Sequence, residues 1–126
     1  MDSRTMRAVL ERHWAASDAG DFEAEHEIYR EDALLYYPQS GEQIRGRRNI
    51  RESRFLQPNR KRFTVQRIVG SGDLWVSEFV LAYDGAPVFS VSIMEFQEGL
   101  VVRETQYFAD RFDPAPSRAH LVERTP

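Results

Sequence analysis

Residues 74–108, LWVSEFVLAYDGAPVFSVSIMEFQEGLVVRETQYF, contain three strand-length runs separated by two short turn signals. Leu74–Tyr83, Val88–Phe96 and Leu100–Phe108 are rich in β-branched and aromatic residues, which suit a pleated, half-buried surface. Asp84-Gly85-Ala86-Pro87 and Gln97-Glu98-Gly99 between them are short enough for antiparallel hairpins. A fourth run, Arg62–Val69, leads in through Gly70-Ser71-Gly72-Asp73. The second half of the chain therefore reads as a four-stranded meander.

The first half reads differently. Met6, Val9, Leu10, His13 and Trp14 fall at helical spacing, with Arg4, Arg7, Glu11 and Arg12 on the other side. Gly20 suits the left-handed position that ends a helix, and Asp21 after it is a good N-cap for a second helix over Phe22–Tyr29. On that helix Phe22, His26 and Tyr29 form the inward stripe, while Glu23, Glu25 and Glu27 lie mostly outside. A short strand, Ala33–Tyr37, stops at Pro38, and Gln39–Arg45 reads as loop. A basic helix follows over Arg47–Leu56, closed by Pro58. Helices gathered ahead of a meander predict an α+β fold: three helices of the N-terminal half packed on the concave face of a curved, mostly antiparallel sheet. Residues 1–112 form the expected single domain and 113–126 a Pro-rich tail.

Composition narrows the chemistry. The 126 residues include no cysteine, which excludes disulfides, thiolate metal sites and cysteine nucleophiles. No apolar run approaches membrane-spanning length, so a soluble, cytoplasmic protein with no membrane partner is expected. Nine of the seventeen basic residues lie between Arg45 and Arg67 against one acid, Glu52. Sixteen of the seventeen are arginine, and no base-stacking motif is interleaved with the block. It reads as a solvated face or an intersubunit charge match, and nucleic acid is not the expected partner. No Walker loop, G-x-G-x-x-G, G-x-S-x-G or H-x-x-x-H spacing occurs, so neither a cofactor nor a metal is predicted.

Several words in the chain carry a resemblance: Ala19-Gly20-Asp21-Phe22-Glu23-Ala24 at the helix joint, Tyr29-Arg30-Glu31-Asp32-Ala33, Gly46-Arg47-Arg48-Asn49-Ile50, and Phe96-Gln97-Glu98-Gly99-Leu100-Val101 ending in Gln106-Tyr107-Phe108-Ala109-Asp110. Together, over residues 5–112, they resemble the SnoaL-like group of the nuclear transport factor 2-like superfamily. The resemblance implies a cone-shaped domain with a pocket between helices and sheet, hosting isomerases, cyclases, epoxide hydrolases and binding-only members. Its catalytic sets are not reproduced. The positions matching the ketosteroid isomerase residues hold His13, Tyr37 and Ser92. Those matching the limonene epoxide hydrolase residues hold Phe79, Leu81 and Gln106. Glu104 is the nearest counterpart of the cyclase acid.

The resemblance turns Glu104, with Val102, Gln106 and Phe108, into the cavity, and Ser92 and Met94 with them. Period-2 patterning alone would instead bury Phe89, Val91 and Ile93. An apolar outer face of this kind implies a homodimer through the sheet. His13 and Glu104 are then the expected acid and base. Trp14, Tyr29, Tyr37, Phe79, Ser92, Met94, Gln106 and Phe108 are the expected substrate contacts for a small hydrophobic molecule. Two functions fit: a cofactor-independent isomerase, lyase or cyclase acting on a hydrophobic carbonyl compound, or a binding module without chemistry.

Overall fold

Asp2 opens the first helix, α1 (Ser3–Ala19), by accepting a 2.8 Å bond from the Thr5 amide. Gly20 closes it in the left-handed region at φ 74°. One residue later Asp21 caps α2 (Phe22–His26) through the Ala24 amide, so the joint between the helices is the one the sequence predicts. The structure is a computed structural model that describes residues 2–57 and 60–125; Pro58, expected to close the third helix, lies outside them.

Helix α2 is shorter than predicted. It ends at His26, and Tyr29 opens a strand, β1 (Tyr29–Tyr37). Beyond a turn at Pro38–Gly41, the stretch read as loop pairs back on β1 as β2 (Glu42–Arg45). A single β-branched residue, Ile44, in a row of polar ones, too little to signal a strand, was enough once β1 offered an edge. Helix α3 (Arg47–Phe55) follows, then the meander β3 (Lys61–Ser71), β4 (Leu74–Tyr83), β5 (Ala86–Gln97) and β6 (Leu100–Asp110). The sheet order is β2-β1-β6-β5-β4-β3, antiparallel throughout except where β1 runs parallel to β6. This is an α+β fold of three helices on a curved, unclosed sheet.

The core lies between α1 and the inner sheet face, where Met6, Leu10 and Trp14 meet Trp75, Phe79, Leu81, Met94 and Phe96. At Gly70 an added Cβ would stand 2.5 Å from the Leu74 carbonyl and 2.6 Å from the Trp75 ring, so only glycine lets the β3–β4 end close over that tryptophan.

Strand parity follows the resemblance and not the simple pattern: Ser90, Ser92 and Met94 face inward, and Phe89 is exposed. A bulge on β6 fixes the placement of Glu104. Phe96 pairs with Val101 and Glu95 with Arg103, leaving Val102 as an extra residue. Val101 and Glu104 consequently both point into the core, and Val102 does not share the Glu104 face as expected. Strict alternation from Val101 would have turned Glu104 outward.

Candidate functional site

Glu104 is fully buried, and four donors converge on its carboxylate. Oε1 accepts from the Tyr29 hydroxyl at 2.5 Å and from Arg54 Nη2 at 3.1 Å; Oε2 accepts from the Ser92 hydroxyl at 2.5 Å and from Gln106 Nε2 at 3.0 Å. A carboxylate offers about four lone-pair sites, and here each has a donor. Glu104 is thus the centre of a satisfied polar cluster, with no lone pair left for a substrate proton.

That cluster fixes Arg54, which sequence reading passed over as one member of a solvated basic block. Arg45, Arg47, Arg48, Arg51, Arg60, Arg62 and Arg67 are indeed exposed, but the Arg54 side chain is only 13% exposed. Its position was legible: on α3, Ile50 is the one buried residue, and Arg54 is four residues on, on the same face. Arg54 Nη1 donates to the Tyr29 hydroxyl at 2.9 Å and to His26 Nε2 at 3.3 Å, and the guanidinium lies over the Tyr29 ring. Burial opposes its charge, but Tyr29, Glu104 and Glu25 outweigh that and hold its pKa well above the ordinary value. Burial likewise raises the Tyr29 pKa well above its usual value, so its hydroxyl stays protonated and donates to Glu104.

Beside Arg54 opens a cavity of about 280 Å³ between the helices and the inner sheet face. Trp14, Phe63, Phe79, Tyr83 and Phe108 give it aromatic walls. Its polar end is built by Glu25, Arg54 and Lys61, with Tyr37 and Gln106 at the edge. Lys61 Nζ donates to the Arg54 carbonyl at 3.1 Å, and burial lowers its pKa. Of the expected substrate contacts, Trp14, Tyr37, Phe79, Gln106 and Phe108 line this cavity. Tyr29, Ser92 and Met94 do not; they are buried behind the wall, Tyr29 and Ser92 as donors to Glu104 and Met94 in the core.

His13 and Glu104, the expected acid and base, are also outside the cavity lining and share no hydrogen bond. The His13 Nδ1–H donates to the Glu25 carbonyl at 2.7 Å, and its Nε2 has no hydrogen-bond partner. Its ring is wedged against Trp14 and Tyr29. Burial, then the Arg54 charge, lower the His13 pKa to about 4, so the ring is neutral at pH 7. His26 is held similarly: Nδ1–H donates to the Phe22 carbonyl at 2.6 Å, leaving Nε2 as acceptor for Arg54, and burial and Arg54 lower its pKa to about 4. Glu25, expected on the outer face of α2, is buried instead. It stands three residues after Phe22, next to His26 at i+4 of the same stripe, and its carboxylate meets Arg54 Nη1 across a loose 4.0 Å ion pair. Among the described residues no group of three or more His, Asp or Glu side chains could hold a metal ion, and no helix is long and apolar enough to cross a membrane.

A SnoaL-like domain covers residues 10–104, and the chain belongs to that family. Its fold is similar to that of an NTF-2 like protein of unknown function from Burkholderia xenovorans LB400, at 47% identity and TM-score 0.92, over 100% of this chain and 99% of that one. It is also similar to a proposed ketosteroid isomerase from Kribbella flavida DSM 17836, at 27% identity and TM-score 0.88, over 98% and 91% of the two chains. IdmH, a proposed polyketide cyclase from Streptomyces antibioticus, shares the fold at 20% identity and TM-score 0.68, over 82% and 91%. No curated protein matches the chain.

Proposed function

We propose that this SnoaL-like protein takes a small, largely apolar carbonyl compound into the aromatic cavity and rearranges it by proton transfer, without a cofactor. The observation that carries the reading is the Arg54 guanidinium, pinned at the cavity wall by Glu104, Tyr29 and His26. A donor fixed in advance at the wall of an aromatic-lined cavity suits an oxygen on which negative charge develops. The isomerase and cyclase descriptions of two neighbours agree with such chemistry. The withdrawal of His13 and Glu104 from the cavity favours a second reading, a binding module in which Arg54 only anchors the ligand.

Both readings require the oxygen to matter. Titration with the ketone 2-tetralone and its hydrocarbon counterpart tetralin, followed by tryptophan fluorescence with Trp14 in the cavity wall, is expected to show saturable binding of the ketone about tenfold tighter, the worth of one charge-assisted hydrogen bond. Equal affinities would remove Arg54 from ligand recognition.

The partner we propose is a second copy of the chain on the outer sheet face. Phe89 and Tyr107 lie exposed there on β5 and β6, flanked by the half-buried Val91 and Ile93. A contiguous apolar sheet face of this kind suits burial in a twofold interface. Sedimentation velocity is expected to give a dimer that Tyr107→Glu converts to monomer; a monomeric wild type at micromolar concentration would refute the assignment.

A further inference from the structure

We infer that Glu25 is the group that takes the proton from the ligand, and that the ligand is a neutral ketone or aldehyde with an acidic hydrogen on the carbon next to its carbonyl. The inference rests on the carbonyl reading above and assigns it a base.

Two carboxylates stand near Arg54, and they differ in what already occupies their oxygens. Glu104 is filled by four donors behind the cavity wall. Glu25 forms part of the wall itself, and its contact with Arg54 is a 4.0 Å ion pair, too long for a hydrogen bond. A base needs a lone pair that the protein has not already used. The backbone of Glu25 is nonetheless held in place, because its carbonyl accepts from His13 and the helix is capped by Asp21.

Arg54 supplies the complementary half. Of its five N–H donors, three are committed to His26, Tyr29 and Glu104. Nε–H and the second Nη2–H remain, and the Tyr37 hydroxyl interacts with Arg54 as well, at the cavity wall that both residues line. A carbonyl oxygen held by Arg54 would lie at the polar end of the cavity, whose wall Glu25 also forms. The C–H bond breaks, its proton goes to the Glu25 carboxylate, and its electron pair moves through the carbonyl to give an enolate oxygen held by Arg54. Return of the proton to the same or a conjugated carbon completes an isomerisation, and no further reactant is needed.

Charge argues for a neutral ligand. Arg54 and Lys61 are already matched by Glu104 and Glu25, and Glu42 adds a further carboxylate to the lining. A ligand bearing a carboxylate would add an anion beside Glu25 and Glu42, and one bearing an ammonium would add a cation beside Arg54 and Lys61.

The test uses 2-tetralone, whose benzylic hydrogens next to the carbonyl exchange with deuterium at a rate read by proton NMR. Wild type is expected to accelerate that exchange. Glu25→Gln is expected to bind the ketone within threefold of wild type but lose at least ~100-fold of the acceleration, the lower end of what general bases contribute. Glu25→Asp, which keeps the carboxylate on a shorter stem, is expected to recover part of it. Melting curves of both variants check that the fold is kept. Exchange by Glu25→Gln at the wild-type rate would overturn the assignment. So would ketone binding by wild type without accelerated exchange, which would leave the binding reading standing. Failure of wild type to bind the ketone would overturn the carbonyl reading and the base with it.

Discussion

Replacing Glu104 by methionine is expected to cost about 3–5 kcal/mol of folding stability, the range observed when one partner of a buried ion pair is removed. The loss has identifiable parts. Arg54 would keep a nearly buried positive charge without its 3.1 Å partner, and the Tyr29 and Ser92 hydroxyls and the Gln106 amide would lose their acceptor. Each buried donor left without an acceptor costs on the order of 1–3 kcal/mol. Arg54→Met is expected to cost a similar amount from the other side, because the Glu104 charge would then be uncompensated. The double variant is expected to be more stable than the sum of the two losses by at least about 1 kcal/mol, since removing both charges leaves neither one buried without its partner, although the Tyr29, Ser92 and Gln106 donors still lack their acceptor. Urea unfolding of the four proteins measures all three quantities. Strict additivity would mean that Glu104 and Arg54 do not act as a pair, and Arg54 would lose the anchoring on which the cavity reading depends. The same measurement separates a structural from a chemical role for Glu104: a base removed by substitution would lower turnover and leave the unfolding midpoint in place.

The elements were more legible in the sequence than the site. Caps at Asp2, Gly20 and Asp21 and the turn residues of the meander act locally, so the joint of the first two helices and the four long strands could be read from short stretches. Strand β2 and the N-terminal half of β1 depend on a neighbour in the sheet, and their residues alone gave no signal. Glu104 and Gln106 face inward as the resemblance implied, but Val102 leaves their face because a one-residue bulge skips it in the ladder, which no period-2 count can show. The identity of the buried polar residues was visible, but their partners were not. His13 and Glu104 both sit on inward-facing positions, as expected, yet each is engaged by groups from other elements, the Glu25 carbonyl in one case and four separate donors in the other. Arg54 and Glu25 were hidden by their company. A buried arginine among exposed arginines, and a buried glutamate among exposed glutamates, have no compositional mark; the helical offsets to Ile50 and to Phe22 were the available signals.

Acidification from pH 7.5 to 4.5 is expected to lower stability by roughly 3–5 kcal/mol, which would leave little of the 5–15 kcal/mol usual for a domain. The sign follows from the histidines. His13 and His26 have folded-state pKa values of about 4, below the ordinary 6.5 they regain on unfolding. Between those values the unfolded chain binds more protons than the folded one, so stability is fully present above pH 6.5 and is lost as pH falls toward 4. Burial is the main cause at His13, whose unpartnered Nε2 has no acceptor for a new proton and faces the field of Arg54. That site contributes roughly 2–3 kcal/mol of the loss by pH 4.5. His26 adds less, because its ring also borders an open groove between α2 and α3, but protonating its Nε2 would remove the acceptor that Arg54 uses. Ketone binding is therefore expected to weaken over the same interval as the fold, since the guanidinium that anchors the oxygen loses one of its three holds. Replacing His13 by asparagine should flatten most of the pH dependence while leaving the protein less stable at pH 7.5, where the bond to the Glu25 carbonyl is remade less well. Unfolding midpoints at the two pH values decide the matter for wild type and variant alike. A wild-type midpoint that does not move, or a His13 ring that titrates near 6.5 by NMR, would mean that the ring is solvated and that the helix-to-sheet contact around Trp14 and Tyr29 is looser than its packing indicates.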